Sequence, residues 1–259
     1  MKFKNILYEN NDGIALVTMN RPEALNAFNK ETLGELSEII DFAEQDASVK
    51  VLIFTGQGKS FIAGADIAEM SKLEVLEGRD VALKGQAVFF KVENIGKPTI
   101  AAINGFALGG GCEFAMSCDI RIASEFAKFG QPEVSLGIIP GWGGTQRLPR
   151  LIGKGLAKYY IYTGEIFNAE EAYRIGLVEK IVKADELMTT AQTIAKTIMS
   201  KAPVAVKMAK GSINNGLSMD LKSGVAYEAE AYATSFGCAD RMEGTAAFME
   251  KRKANFAGK

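Results

Sequence analysis

The chain of 259 residues contains no histidine. That absence excludes a Ser-His-Asp triad, a Cys-His pair and the common histidine-ligated zinc sites. Acid/base chemistry near neutral pH then falls to carboxylates, Lys, Tyr or Cys, none of which titrates there without help from its surroundings. Cysteine is scarce as well. Cys112, Cys118 and Cys238 form no CxxC pair and leave an odd number, which favours a reducing, cytoplasmic compartment over a disulfide framework. Neither sign of charge dominates: 30 Lys and Arg against 31 Asp and Glu give a formal net charge of −1, so the chain as a whole is not drawn to nucleic acid or an anionic membrane. No apolar run reaches the roughly 20 residues of a membrane helix. The uncharged stretch Pro98 to Cys112 is glycine-rich and closed by Glu113, and the N-terminal residues 1–13 lack the apolar region of a signal peptide.

What is present is an ordinary globular composition, 47% hydrophobic and 24% charged. A chain of this length buries roughly 70 to 75% of its unfolded surface, enough for a large core. Ile14 to Met19, Val51 to Thr55, Thr99 to Ile103 and Ile120 to Ala123 read as strands. Helical spacing recurs between them, as in Leu33, Leu36, Ile40 and Ala43 behind the N-cap candidate Asn29. Residues 69–95 read as helical without a clean period. Asn168 to Glu171 resembles a capping box, and Gly176 ends that helix. From Asp185 onward the pattern is consecutive helices. Pro203 starts one, Leu221, Val225, Ala229 and Tyr232 mark another, and Asp240 to Glu243 offers a cap for the last. The reading is α/β followed by helices, divided near residue 197 into 1–197 and 198–259.

One stretch carries chemistry. Gly109, Gly110 and Gly111 precede a helix opening at Cys112-Glu113, and Glu133 follows in a Gly-Gln-Pro-Glu loop. Glycines before a helix let backbone N–H groups approach a ligand, and the helix start adds partial positive charge. Two carboxylates beside such a place make a general acid/base pair with an oxyanion site. Alone, Glu113 reads as a helix-start charge and Glu133 as a solvated loop acid. Together, in a chain without histidine, they are the candidates for catalysis. Gly56 to Ser60 suggests a phosphate loop, but the glycine that loop needs is replaced by Ile53, so the segment reads as a turn.

GFALGGGCEFAMSCDIRIAS, FGQPEVSLGIIPGWGGTQRL and SFIAGADIAEM closely resemble signature segments of the enoyl-CoA hydratase (crotonase) family, especially its bacterial short-chain members. The likeness runs from Arg21-Pro22 to residues 246–256. It implies a spiral of ββα units with a C-terminal helical region that builds a homotrimer or a homohexamer. The implied activity is reversible hydration of a trans-2-enoyl-CoA to a 3-hydroxyacyl-CoA, with coenzyme A arriving as part of the substrate and no metal or redox cofactor. In the family pattern Ala65 and Gly110 lend backbone N–H groups to the oxyanion hole, and Glu113 and Glu133 handle water and proton. Gly141 lies beside the water. Ala63, Asp66 and Ile67 belong to the substrate-binding segment, which spacing alone reads as a small-residue turn. Trp142 either packs or lines the acyl pocket. Phe248 and Lys251, three apart on the last helix, reach the adenine end of coenzyme A from a neighbouring subunit. An isomerase or another acyl-CoA lyase keeps the same oxyanion hole, and an RNA-binding member keeps the fold without turnover, with Lys251-Arg252-Lys253 as a local basic patch.

Overall fold

The computed structural model describes residues 3–259; the first two residues of the N-terminal stretch read above lie outside them. β1 (Ile6–Asn11) and β2 (Ile14–Met19) pair antiparallel. The turn between them, Asp12-Gly13, has positive φ at both residues (52° and 85°), the two-residue geometry that suits a hairpin's twist. β1 is absent from the sequence reading, although Asp12-Gly13 is its signal. α1 (Lys30–Gln45) starts as expected at Asn29, whose Oδ1 accepts from the Thr32 N–H at 2.8 Å.

From there the chain repeats one move three times. A long strand joins a large sheet, a short strand joins a second sheet, and helical structure follows. The first pass is β3 (Val51–Gly56), β4 (Ser60–Ile62), α2 (Ile67–Met70) and α3 (Val75–Asn94). The second is β5 (Thr99–Ile103), β6 (Phe106–Leu108) and α4 (Gly110–Ser117). The third is β7 (Ile120–Ser124), β8 (Lys128–Gly130), a 3-10 turn (Pro132–Leu136) and α5 (Gly144–Ile152). α6 (Lys154–Thr163), β9 (Phe167–Asn168), α7 (Ala169–Arg174) and β10 (Lys180–Val182) close the arrangement. The large sheet has the order β1-β2-β3-β5-β7-β10 and the small one β4-β6-β8-β9. The strands joined by these crossovers pair parallel, since each crossover returns the chain in the same direction beside the strand before, while β8 and β9 pair antiparallel. This is the mixed α/β, ββα arrangement that the family resemblance implies.

The core lies where the two sheets meet α1, α3 and α4. All eight residues of α4 are buried, and all are apolar or small except Glu113 and Ser117, whose hydroxyl donates to the Phe114 carbonyl. Phe114 on it has its ring centroid 5.6, 5.1, 6.0 and 5.4 Å from those of Phe28, Phe54, Phe61 and Phe89. On the other face of the large sheet, α8 (Leu187–Met199) packs Leu187, Ala191 and Ala195 against Val51, Ile53, Ile100 and Ile122. Residue 197 falls in the last turn of that helix. α9 (Pro203–Gly216), α10 (Leu221–Phe236) and α11 (Ala239–Met249) follow. Neither α9 nor α10 contains a fully buried residue. α9 is tied to the core through Lys210 Nζ, which donates to Asp119 Oδ2 (2.9 Å) and the Lys97 carbonyl (3.0 Å).

Three local expectations need correction. Asp240 does not cap α11: Cys238 occupies the N-cap, and the Asp240 carboxylate instead accepts from the N–H groups of Ala257 (2.6 Å) and Gly258 (2.9 Å), clasping the C-terminal tail. Lys251 is not on the helix with Phe248, because α11 ends at Met249 and Lys251 has a left-handed φ of 55°. The capping box at Asn168 forms by half. Asn168 Oδ1 accepts from the Glu171 N–H at 2.9 Å, but the Glu171 carboxylate is drawn away by Arg174 and Tyr160.

Phe114→Ala is expected to lower stability by about 3–5 kcal/mol, because aromatic neighbours fixed by β3, β4, α3 and the Phe28 bridge cannot close around the gap. Urea unfolding reads this as a lower midpoint at unchanged slope; a loss under about 1 kcal/mol would show that the cluster collapses freely.

Candidate active site

β4, β6 and β8 run parallel, and the chain leaving each of them reaches one cavity of about 1570 Å³. β4 leads to Ala63-Gly64-Ala65, β6 to Gly109-Gly110 and α4, and β8 to Glu133. Ala65, Gly110, Glu113 and Glu133 all line the cavity. Three strands of three residues each thus place every element of the site.

Glu113 is 2% exposed. Its Oε1 accepts from the N–H groups of Trp142 (2.8 Å) and Gly144 (2.7 Å). Glycine at 144 permits this approach, because a Cβ there would lie 3.0 Å from Glu113 Oε1 and 2.2 Å from Gln131 Oε1. Burial pushes the Glu113 carboxyl up to about 7, against the pull of these two N–H groups and of Arg147. Glu133 is also pushed up to about 7, first by burial and then by the charge of Glu113. Its Oε2 is buried without a hydrogen-bond partner among the described residues. Gly109 makes room for it: φ is +49°, and a Cβ there would sit 2.8 Å from Glu133 Oε1.

Two backbone donors face the same space. Phe28 bridges to the segment around Ala65 by accepting from the Asp66 N–H (2.8 Å) and donating to the Gly64 carbonyl (2.9 Å). This leaves the intervening Ala65 N–H without an acceptor among the described residues. Gly110 is the first residue of α4, where a helix leaves its N–H groups unpaired.

Ala63, Ile67, Gly141 and Trp142 line the cavity too. The Gly141 carbonyl is held by Gln86 Nε2 at 2.8 Å. Trp142 packs and lines at once. It is 5% exposed, its ring meets Phe28 and Phe89 edge-on, and Nε1 donates to the Val81 carbonyl at 3.3 Å. It is wedged so tightly that a Cβ on Gly85 or Gly110 would come within 2.4 or 2.5 Å of its ring. Asp66 turns elsewhere, pairing with Arg21 at 3.1 Å and capping α2 through the Ala68 N–H at 3.2 Å. Phe248 is 82% exposed, and neither it nor Lys251 lines this cavity within the chain.

The sequence reading passed over Gln131 and Arg147. Gln131 is buried and donates from Nε2 to the Gly109 carbonyl at 3.0 Å, fixing the turn into α4. Arg147 reaches the Trp142 carbonyl beside Glu113. Gln131 stands two residues before Glu133, in the segment read only as a loop. Nothing in the local sequence marks Arg147.

Two carboxyls that exchange protons near neutrality, beside a pair of unpaired backbone N–H groups, equip the cavity for acid/base catalysis through an oxyanion. The chain belongs to the enoyl-CoA hydratase/isomerase family, whose sequence model matches residues 9–259. Membership implies an acyl-CoA thioester substrate. Among curated relatives, the crotonyl-CoA hydratase of Syntrophomonas wolfei is 51% identical, with 100% of each chain covered. The short-chain-enoyl-CoA hydratase of Clostridium acetobutylicum is 53% identical over 98% of this chain and 97% of its own. Among solved structures, enoyl-CoA hydratase from Bacillus anthracis superposes with a TM-score of 0.95 at 42% identity, covering 99% of this chain and 100% of its own.

The raised carboxyl at Glu133 also has a consequence for stability. A carboxyl that binds its proton more tightly when folded contributes stability at low pH and loses it as pH rises from about 4.5 toward about 7. Glu133→Gln removes that pH-dependent loss, so its melting temperature relative to the wild type is expected to climb between about pH 5 and about pH 8. Parallel melting curves across that range would mean that Glu133 is solvated.

Proposed function

We propose that this chain catalyses the reversible hydration of short-chain trans-2-enoyl-CoA thioesters to 3-hydroxyacyl-CoA, crotonyl-CoA being the four-carbon case. The observation that carries this reading is the pairing around one cavity of two acids, the buried Glu113 and the half-buried Glu133, both pushed up to about 7. The names of the Syntrophomonas and Clostridium relatives support the same substrate class. Water adds at C3 and a proton at C2, while electrons pass through the thioester oxygen. The Ala65 and Gly110 N–H groups hold that oxygen as its charge develops.

The surroundings divide the labour between the acids. Glu113 has two N–H donors and a nearby cation, all of which favour its charged form. Glu133 has an unpartnered Oε2 and faces the charge of Glu113, which favours its protonated form. Glu113 therefore takes the proton from water, and Glu133 delivers one to C2. An isomerase moves a proton between carbons and needs only one such group, so the second acid favours hydration. Backbone donors and two carboxyls complete this mechanism without a metal or redox cofactor.

We further propose that α9 and α10 pair with other copies of this chain in a trimer or a hexamer. Leu217, Leu221 and Tyr232 on this arm are 77%, 84% and 65% exposed, more apolar surface than an isolated arm keeps in water. Phe248 and Lys251 then reach a neighbouring subunit's coenzyme A. With three free cysteines, two of them buried, the protein suits the reducing cytoplasm.

Glu113→Gln is expected to lower crotonyl-CoA hydration by about 10²-fold or more while preserving acyl-CoA binding. Glu133→Gln should cost at least as much, and the double variant less than the product of the two losses, because the acids act as a unit. Assaying 3-enoyl to 2-enoyl isomerisation alongside separates the two activities; normal hydration by Glu113→Gln would remove the hydratase reading. Sedimentation of the wild type should give three or six chains per particle, and a fully active monomer would rule out the shared coenzyme A site.

A further inference from the structure

Arg147 occupies an unusual position behind the acid pair. It is 9% exposed and spans two elements. Nη1 donates to the Trp142 carbonyl at 3.0 Å, and Nη2 to Glu93 Oε2 at 2.7 Å on the last turn of α3. The Phe90 ring lies 5.1 Å below its guanidinium carbon. Glu93 is itself steadied, since its backbone carbonyl accepts from Asn214 Nδ2 of α9 at 2.9 Å. Gly143 lets the guanidinium through: a Cβ there would lie 2.2 Å from Nη1. Yet Nε is buried with no partner among the described residues. A buried donor left unpaired is costly, so the guanidinium is placed for its two chosen contacts and not for saturating its own donors.

We propose that Arg147, held by Glu93, is a positioning residue for Glu113: it clamps the Trp142 carbonyl so that the flanking peptides present the Trp142 and Gly144 N–H groups to the Glu113 carboxylate, and it supplies the cation facing that acid. The inference rests on the assignment of Glu113 as the base of hydration. The clamped carbonyl belongs to the Trp142–Gly143 peptide, which adjoins the Gly143–Gly144 peptide across the Gly143 Cα, and the Trp142 N–H lies on the other side of the Trp142 Cα. A clamp at this carbonyl therefore orients both donors at once.

The charge arithmetic has one sign. Glu113 faces Arg147 from α5 and Glu133 from the 3-10 turn, with Glu93 behind the guanidinium on α3. On its own helix, Cys112 has its thiol pushed up to about 12 and stays neutral. Removing the cation disfavours the Glu113 carboxylate, so more alkaline conditions are needed to ionise it.

The test is the pH dependence of kcat and kcat/KM for crotonyl-CoA hydration by the full-length wild type, Glu113→Gln, Arg147→Gln and Arg147→Lys. In the wild type Glu113 sets the acid limb, so Glu113→Gln should lose it. Arg147→Gln should move that limb up by about one pH unit and lower kcat about tenfold near pH 7, with KM changed less than about twofold. Arg147→Lys keeps the charge but lacks the fork that spans carbonyl and carboxylate, so the limb should stay while kcat falls. An unmoved limb in Arg147→Gln, with the same fractional loss at every pH, makes Arg147 a structural staple and overturns the inference while leaving the hydratase reading intact. If Glu113→Gln keeps the acid limb, both fall together. Should Arg147→Gln fail to fold, Arg147→Lys decides alone: a shifted limb or undiminished kcat overturns the proposal.

Discussion

The rest of this structure is arranged around one unfavourable placement, an ionisable carboxylate inside a helix that is buried on every side. Removing a charge from water costs several kcal/mol unless partners replace the lost solvent. Glu113 receives those partners from far along the chain, through the Trp142 and Gly144 N–H groups and the Arg147 guanidinium. They offset the burial only in part, and the incomplete compensation leaves the carboxyl at about 7. A fully compensated acid would stay ionised at every pH the protein meets. An uncompensated one would never give up its proton. The useful range lies between these limits.

The small sheet exists to meet that requirement. Its strands are too short to stabilise much by themselves, but β4, β6 and β8 each follow a strand of the large sheet and lead into helical structure. Their ends are fixed within a close-packed interior. Trp142 ties the arrangement together. It contributes a backbone N–H to Glu113, packs its ring on Phe28 and Phe89, and presses against Gly110 and Gly85. Core packing and the electrostatics of the site are therefore coupled through one side chain.

Sequence patterning revealed β2, β3, β5 and β7 of the large sheet because they are apolar runs of five or six residues, and passed over β1, which is half polar, and β10, which has three residues. Ser60–Ile62, Phe106–Leu108 and Lys128–Gly130 carry no period at all, since three residues cannot display one. The acids were legible for a different reason. The missing histidine and the glycine cluster left few other groups for the chemistry. Arg147 and Glu93 were not, because their contact spans 54 residues of sequence and each is unremarkable in its own helix. Asp240 and Lys251 misled for the complementary reason. Local rules made Asp240 a cap of helix α11 and placed Lys251 on it, whereas the returning tail claims the Asp240 carboxylate and the left-handed turn carries Lys251 out of the helix.

The proposed oxyanion donors, the N–H groups of Ala65 and Gly110, belong to the backbone, and this bears on how such a protein changes over generations. A single codon change removes either glutamate, but no codon change removes the N–H of Ala65 or Gly110 short of proline. Random substitution therefore erases water addition sooner than it erases the capacity to steady a thioester enolate. A lineage that has lost either acid still inherits a pocket able to hold that intermediate, and new proton donors or acceptors can be recruited around it. The spiral is conservative about the oxygen and permissive about everything that happens at carbon.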